Sequence, residues 1–519
     1  MCKRKKLALP AMLLLFAALV GCNVSSTNTD RENALSYDNA VQELEIFVKD
    51  IAPESISAPL DINIAEPDAA SVLADIDTFP IMVAGSGQID IEIAAATEMS
   101  AAAPDDWMNV IAERFNGENR TIGGKTVSVS IRKITSGEVV TYMTDGGYRP
   151  DLYAPSNYAW GEMLKAHGFN VITLADRLLG NTAGILMEKK THETFTAKYG
   201  DVTVDKVLEA SLAGDLTFAY TNPFTSSTGL NIFTAMLHAF DPDNPLSAAA
   251  SEKLLAYQRK SPPVAYTTAV LRDQASKGII KAMVMEEQAY HNTPELKDYV
   301  YIPQGIRHDH PVYTFDYVSP ERQEAARLFA EYCLSAQSQK LGDEKGFNLH
   351  NEYREQSSGL DGAGFISAQK LWKQSKDGGR PIIAVFVADI SGSMDGLPLN
   401  GLKESLVSAS NFIGANNYVG LVSYDSNVYV NLEIGEFDDL QRAYFSGGVK
   451  SLSAGGGTAT YDAVLVGLSM LLKKQQELPE AKLMLFVLSD GQQNEGYLYS
   501  RVAPIVGGLQ IPIYSIAYN

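Results

Sequence analysis

Residues 382–394 read Ile-Ile-Ala-Val-Phe-Val-Ala-Asp-Ile-Ser-Gly-Ser-Met. The apolar run 382–388 is continuous rather than alternating, which marks a strand buried on both faces, as in a parallel sheet. It ends on Asp389, followed by Ser391 and Ser393. Downstream, the pattern predicts a helix from 399 or 402 to 413, strands over 418–424 and 428–434, and a helix over 460–474. A second buried strand, 483–488, ends in Ser489-Asp490-Gly491, and a last strand covers 511–517. This alternation predicts an α/β, doubly wound Rossmann-like domain. In such a sheet the carboxyl ends of the strands share one crevice, so Asp389 and Asp490 converge. Two close carboxylates repel unless something positive lies between them. Ser391 and Ser393 add hydroxyl oxygens, and an oxygen-only set suits a hard divalent ion such as Mg²⁺. Gly392 lets the loop wrap tightly.

With Asp389, Ser391 and Ser393 as an Asp-x-Ser-x-Ser signature, this segment resembles the von Willebrand factor A (VWA) domain. The resemblance implies a metal-ion-dependent adhesion site (MIDAS). Its threonine ligand matches Thr458 in Gly455-Gly456-Gly457-Thr458, and its second aspartate matches Asp490. It implies Mg²⁺, or another divalent cation such as Mn²⁺ or Ca²⁺, with one coordination position left for a carboxylate from a protein partner. The VWA domain is expected over 381–519. The family fold continues beyond the strand that closes this chain, so the domain is expected to be incomplete and the natural product longer.

Upstream, strands alternate with helices: strands at 89–95, 126–134 and 151–154, helices at 105–116 and 139–144. A loop of hydroxyls and amides, 220–229, precedes a helix over 230–238. Such a helix start either holds an anion through backbone N–H groups or is an ordinary cap and turn. With Thr97, Ser136-Gly137, Pro150-Asp151 and that loop, residues 85–350 resemble a type II bacterial extracellular solute-binding protein. The resemblance implies a two-lobed, periplasmic-binding-protein-like α/β domain that closes on a small solute. Its lining would be Thr97, Ser136, Ser226, Ser227 and Thr228, completed by Tyr290; a degenerate cleft is the alternative. His308-Asp309-His310 offers two histidines with no third ligand and reads as a polar loop. Cys333 reads as a packing cysteine in a helix. Residues 351–380, polar and Gly-rich, read as a linker.

The amino terminus has a basic cluster (Lys3, Arg4, Lys5, Lys6) and a short apolar run, the layout of a signal peptide over 1–21. It ends in Leu19-Val20-Gly21-Cys22, which resembles the bacterial lipobox. The resemblance implies that Cys22 is lipidated and holds the protein at a membrane surface. Residues 22–84 read as an acidic tether with one short helix over 37–51. Between Asn23 and Pro80 there are twelve acidic and two basic residues.

The whole chain of 519 residues carries 42 Lys and Arg against 62 Asp and Glu, a formal charge of −20. That argues against nucleic-acid binding, which depends on basic side chains. Three cysteines rule out a disulfide-framed fold or a Cys-rich zinc module. No catalytic triad or phosphate loop can be argued, so no enzyme is expected. The leading expectation is a lipid-anchored binding protein of the bacterial cell envelope, extracytoplasmic, on the outer membrane in a diderm. The alternative is the substrate-binding receptor of an ABC-type importer, with the VWA domain as its docking module.

Overall fold

The computed structural model describes residues 34–61, 73, 75–410, 413–414, 416–491 and 493–518. The signal-peptide reading and Cys22 lie outside them. The chain forms two compact units: Met1–Ala74 together with Arg380–Asn519, and Asp75–Gly379.

In the first unit a six-stranded sheet runs in the order Glu54–Ser55, Val428–Glu436, Tyr418–Tyr424, Ile382–Asp389, Lys482–Ser489, Ile513–Ala517. The central strand Ile382–Asp389 pairs in parallel with both neighbours. Its side chains alternate between two cores. Phe386 and Ala388 pack with Leu402, Leu406 and Phe445. Ile383, Val385 and Val387 pack with Leu465, Leu468 and Ile505. The continuous apolar run therefore reflects helices on both faces, as a parallel strand requires. Helices Asp439–Ser451 and Tyr499–Leu509 complete the layers; neither was expected from the sequence.

Residues 35–61, expected in a solvated tether, are packed into this unit. Helix Tyr37–Ile51 forms as anticipated, but it buries Ala40, Leu44 and Phe47 in the second core. Phe47 lies 4.4 Å from the Tyr497 ring and takes the Arg501 guanidinium over its face at 5.0 Å. The next residues, Glu54–Ser55, extend the sheet edge by pairing with Tyr429 and Val430. Asp61 then takes the Ser446 hydroxyl at 2.7 Å and pairs with Lys450. Net charge misled here because it says nothing of which helix face carries it. The acids point outward and leave an apolar stripe to bury.

In Asp75–Gly379 two sheets define two lobes. The first orders Ile81–Val83, Lys125–Lys133, Ile89–Ala95, Leu152–Ala154, Val312–Phe315 and Val171–Ala175. The unit thus begins inside the expected tether, since Ile81–Val83 pairs with Lys125–Lys133. The chain leaves this lobe after Val171–Ala175. It builds the second sheet from Ala282–Glu286, Thr182–Glu188 and Tyr299–Arg307, then returns. Cys333 is fully buried in the first lobe's core, and burial pushes its thiol well above the ordinary range.

The expected linker 351–380 also departs from its reading. It holds the helix Gly362–Ser375. A Cβ at Gly362 would come within 2.1 Å of the Glu162 carbonyl, so only glycine fits that approach. Phe365 sits in the first lobe's core. Gln369 donates to the Pro223 carbonyl at 2.8 Å, and the Trp372 indole donates to the Tyr220 hydroxyl at 2.8 Å. The helix is a strap across both lobes.

Leu44→Ala is expected to destabilise the unit that contains Arg380–Asn519 by about 2–5 kcal/mol. Chemical denaturation followed separately for the two units checks this. An unchanged transition would return residues 37–51 to the status of a free tether.

Candidate functional site

Asp389 ends the central strand with no exposed surface. Its carboxylate is held from three sides. One oxygen accepts the Ser391 backbone N–H at 2.9 Å. The other accepts the hydroxyls of Ser489 at 2.5 Å and Tyr424 at 3.3 Å. Strand register places Tyr424 directly beside Asp389. Burial, with the neighbouring Asp389 charge, pushes the Tyr424 phenol up, so it remains a donor. The serine hydroxyls continue the network: Ser391 to Ser393 at 3.1 Å, and Ser393 to Asp490 at 3.0 Å. Four of the five expected metal-site residues are thus linked by hydrogen bonds, Asp389 to Ser391 through the backbone N–H and the others through side-chain oxygens.

Thr458 arrives on a second loop tied to the first by backbone bonds. Gly392 N–H donates to the Gly456 carbonyl at 3.1 Å, and Gly455 N–H to the Ile390 carbonyl at 2.8 Å. Gly456 takes a left-handed conformation, φ 71°, which favours glycine. Asn494 grips Thr458 from behind: its side-chain oxygen accepts the Thr458 N–H at 2.8 Å, while its own N–H donates to the Thr458 carbonyl at 3.1 Å. Ser393 is exposed and Asp490 half-buried, so the cluster opens to solvent on one side. Among the described residues no three His, Cys, Asp or Glu side chains group as metal ligands. The donor set here is two carboxylates and three hydroxyls, and all-oxygen donors of this kind fit a hard divalent ion. Sequence reasoning missed the supporting residues Ser489, Tyr424 and Asn494. Only Ser489, adjacent to Asp490, carried a local signal.

The expected solute-binding residues divide. Ser136 is buried, with its hydroxyl 3.3 Å from that of Ser156. Ser226 caps the helix Ser227–Phe240 and accepts the Thr221 hydroxyl at 2.9 Å. Ser227 accepts the Trp160 indole at 2.8 Å, and Thr228 donates to Glu286. Thr97 starts a short helix and is half-buried. Tyr290 is engaged elsewhere: it donates to the Tyr299 carbonyl at 2.9 Å and stacks on Tyr301. The lobes meet directly, through Gly137 N–H to the Thr225 carbonyl at 3.3 Å and Tyr266 to Glu138.

The acids of this cleft were not foreseen. Glu98 follows the strand Ile89–Ala95, and Glu286 is the last residue of the strand Ala282–Glu286. Burial opposes ionisation of Glu98, but His310, at 3.1 Å, and Ser156 outweigh it and hold its pKa below the ordinary range. Burial, and then the Glu98 charge, pushes Glu286 up to about 7. His308 and His310, expected in a polar loop, are wholly buried. His308 sits 3.2 Å from Asn157, and burial lowers its pKa to about 3, so it is neutral.

The family model described as bacterial extracellular solute-binding protein matches residues 96–348. That of the von Willebrand factor type A domain matches residues 384–519. Among curated relatives, inter-alpha-trypsin inhibitor heavy chain H1 of Sus scrofa is 29% identical over 171 residues, covering 30% of this chain and 18% of that protein. The H3 heavy chain of Homo sapiens is 30% identical over 155 residues, covering 27% and 17%. The chain thus spans less than a fifth of these relatives. Among solved structures, iron-bound HitA from Pseudomonas aeruginosa is 14% identical with a TM-score of 0.40, over 56% of this chain and 99% of that one.

Glu286 yields a pH prediction with a definite sign. Its folded pKa lies above the ordinary 4.5, so its stabilising contribution is full below pH 4.5 and is lost as pH rises through about 7. Glu98, Thr228 and Thr268 are the groups that act on it. The unit Asp75–Gly379 should therefore lose on the order of 2 kcal/mol between pH 5 and 8. Glu286→Gln should flatten part of that slope, since burial also raises Glu138 and Glu287. Denaturation midpoints across pH measure it; an unchanged slope in the variant would contradict the assignment.

Proposed function

We propose that this chain, a bacterial solute-binding domain followed by a VWA domain, is a lipid-anchored extracytoplasmic binding protein that grips a protein partner through a divalent ion. The observation that carries the reading is the hydrogen-bonded series Asp389, Ser391, Ser393, Asp490, which gathers two carboxylates and two hydroxyls, with Thr458 held beside it. Asp389, Ser391, Ser393, Thr458 and Asp490 would hold Mg²⁺, or Mn²⁺ or Ca²⁺ in its place. When bound, the ion supplies an electropositive coordination position that a carboxylate oxygen can fill.

The chain's own residues set the geometry. Ser489 and Tyr424 fix the Asp389 carboxylate, so its free lone pairs are aimed before any ion arrives. Asn494 fixes Thr458 in the same way. The solvent-open side at Ser393 and Asp490 is where a partner's acidic side chain would enter. The solute-binding domain would capture a small solute between its lobes. Cys22 would carry the lipid that holds both at the membrane surface.

The decisive experiment compares partner capture by the full chain in Mg²⁺ and in chelator, and with Asp389→Ala. Capture should be lost in the last two conditions; full capture in both would end the metal mechanism. Direct calorimetry of Mg²⁺ adds a graded test. Ser489→Ala should weaken ion affinity about 10- to 100-fold, the usual cost of removing a residue that orients a metal ligand. Unaltered affinity would mean that Ser489 plays no orienting part.

A further inference from the structure

The cleft between the lobes of Asp75–Gly379 is rich in hydroxyls in sequence but acidic in space. We propose that it binds a small organic cation bearing N–H donors, an alkylammonium or guanidinium group, between Glu98 of one lobe and Glu286 of the other. This deepens the solute-binding reading and rests on it.

Glu286 is 4% exposed. One of its oxygens takes the Thr228 hydroxyl. The other, Oε2, has no hydrogen-bond partner among the described residues. A buried carboxylate oxygen left unpaired is costly, and an N–H donor is what it lacks. Glu98 approaches from the first lobe, paired with His310 at 3.1 Å and bonded to Ser156, whose hydroxyl meets that of Ser136. Gly137, next in the chain, touches Thr225 of the second lobe, three residues before Thr228. The two carboxylates therefore belong to one closed interface, and the Glu98 charge is felt at Glu286.

The competing ligand classes fit less well. An oxyanion would seek the amino terminus of the helix Ser227–Phe240. There the Thr228 hydroxyl is already given to a carboxylate of the protein itself. The nearby guanidinium of Arg272 is taken by Asp105 at 3.1 Å. A bare metal ion would need a third ligand, and no three acidic, His or Cys side chains come together among the described residues. An ammonium or guanidinium needs acceptors and negative charge, which the ionised Glu98, already held by His310 on one oxygen, and the unpaired Oε2 of Glu286 provide.

The test is calorimetry on the full chain with methylammonium, putrescine, guanidinium and sulfate. Tetramethylammonium, charged but without N–H, is the control. A divalent-metal titration is run on Asp389→Ala to silence the other site. One N–H cation should bind, with tetramethylammonium at least 10-fold weaker. Glu286→Gln and Glu98→Gln, each checked for an intact melting transition, should weaken that binding at least 10-fold. Binding that survives both substitutions overturns the proposal. Sulfate or metal binding that Thr228→Val abolishes, with no cation bound, overturns the cation class and leaves the solute reading standing. No heat with any probe counts against both.

Discussion

A carboxylate with no exposed surface at the end of a central strand is expensive, and the C-terminal unit is organised around meeting that cost at Asp389. The parallel register sets Tyr424 on one side, and the neighbouring strand brings Ser489 from the other. The turn after the strand folds back to give the Ser391 N–H. Those three donors settle part of the debt. Further oxygens, from Ser391 through Ser393 to Asp490, gather around a solvent-open point. Strand order and loop contacts all serve that arrangement. The sheet that holds it must in turn be covered on both faces, which is why helix Tyr37–Ile51 is part of the unit.

The cleft of the other unit solves a related problem differently. Its hydroxyls are spent inside the protein: Ser227 on Trp160, Ser226 on Thr221, Thr228 on Glu286. A hydroxyl loop at a helix start is thus no guide to the charge of a ligand until the partner of each hydroxyl is known. The strap helix Gly362–Ser375 adds a constraint, since Phe365 is rooted in one lobe and Trp372 in the other. Any opening of the lobes must move or release that helix.

The positions of Asp389 and Asp490 were legible because an uninterrupted apolar strand fixes where its end lies: Asp389 is the last residue of one such strand and Asp490 follows another. Thr458 was legible only through resemblance, because loop contacts bring it close rather than any local pattern. Tyr424 and Asn494 depend on register and on a loop returning across the sheet, which no window of sequence shows. Glu98 and Glu286 were passed over for the same reason. Each is a lone acid locally, and only the meeting of two lobes makes them a pair. The tether and the linker were misread through composition. Charge and glycine content describe how polar a segment is on average, whereas Leu44 and Phe365 show that one face decides whether it docks.

The chain order gives the VWA-containing unit a mechanical property. Its first described element, Tyr37–Ile51, precedes the whole of Asp75–Gly379, and its sheet follows it. The solute-binding unit is therefore inserted into the other, with both of its ends fastened to the same body. A pull applied at residue 34 and resisted at Asp389 is carried by one packed core, through Leu44 and Phe47 to the central strand. No residue of the inserted unit belongs to that core.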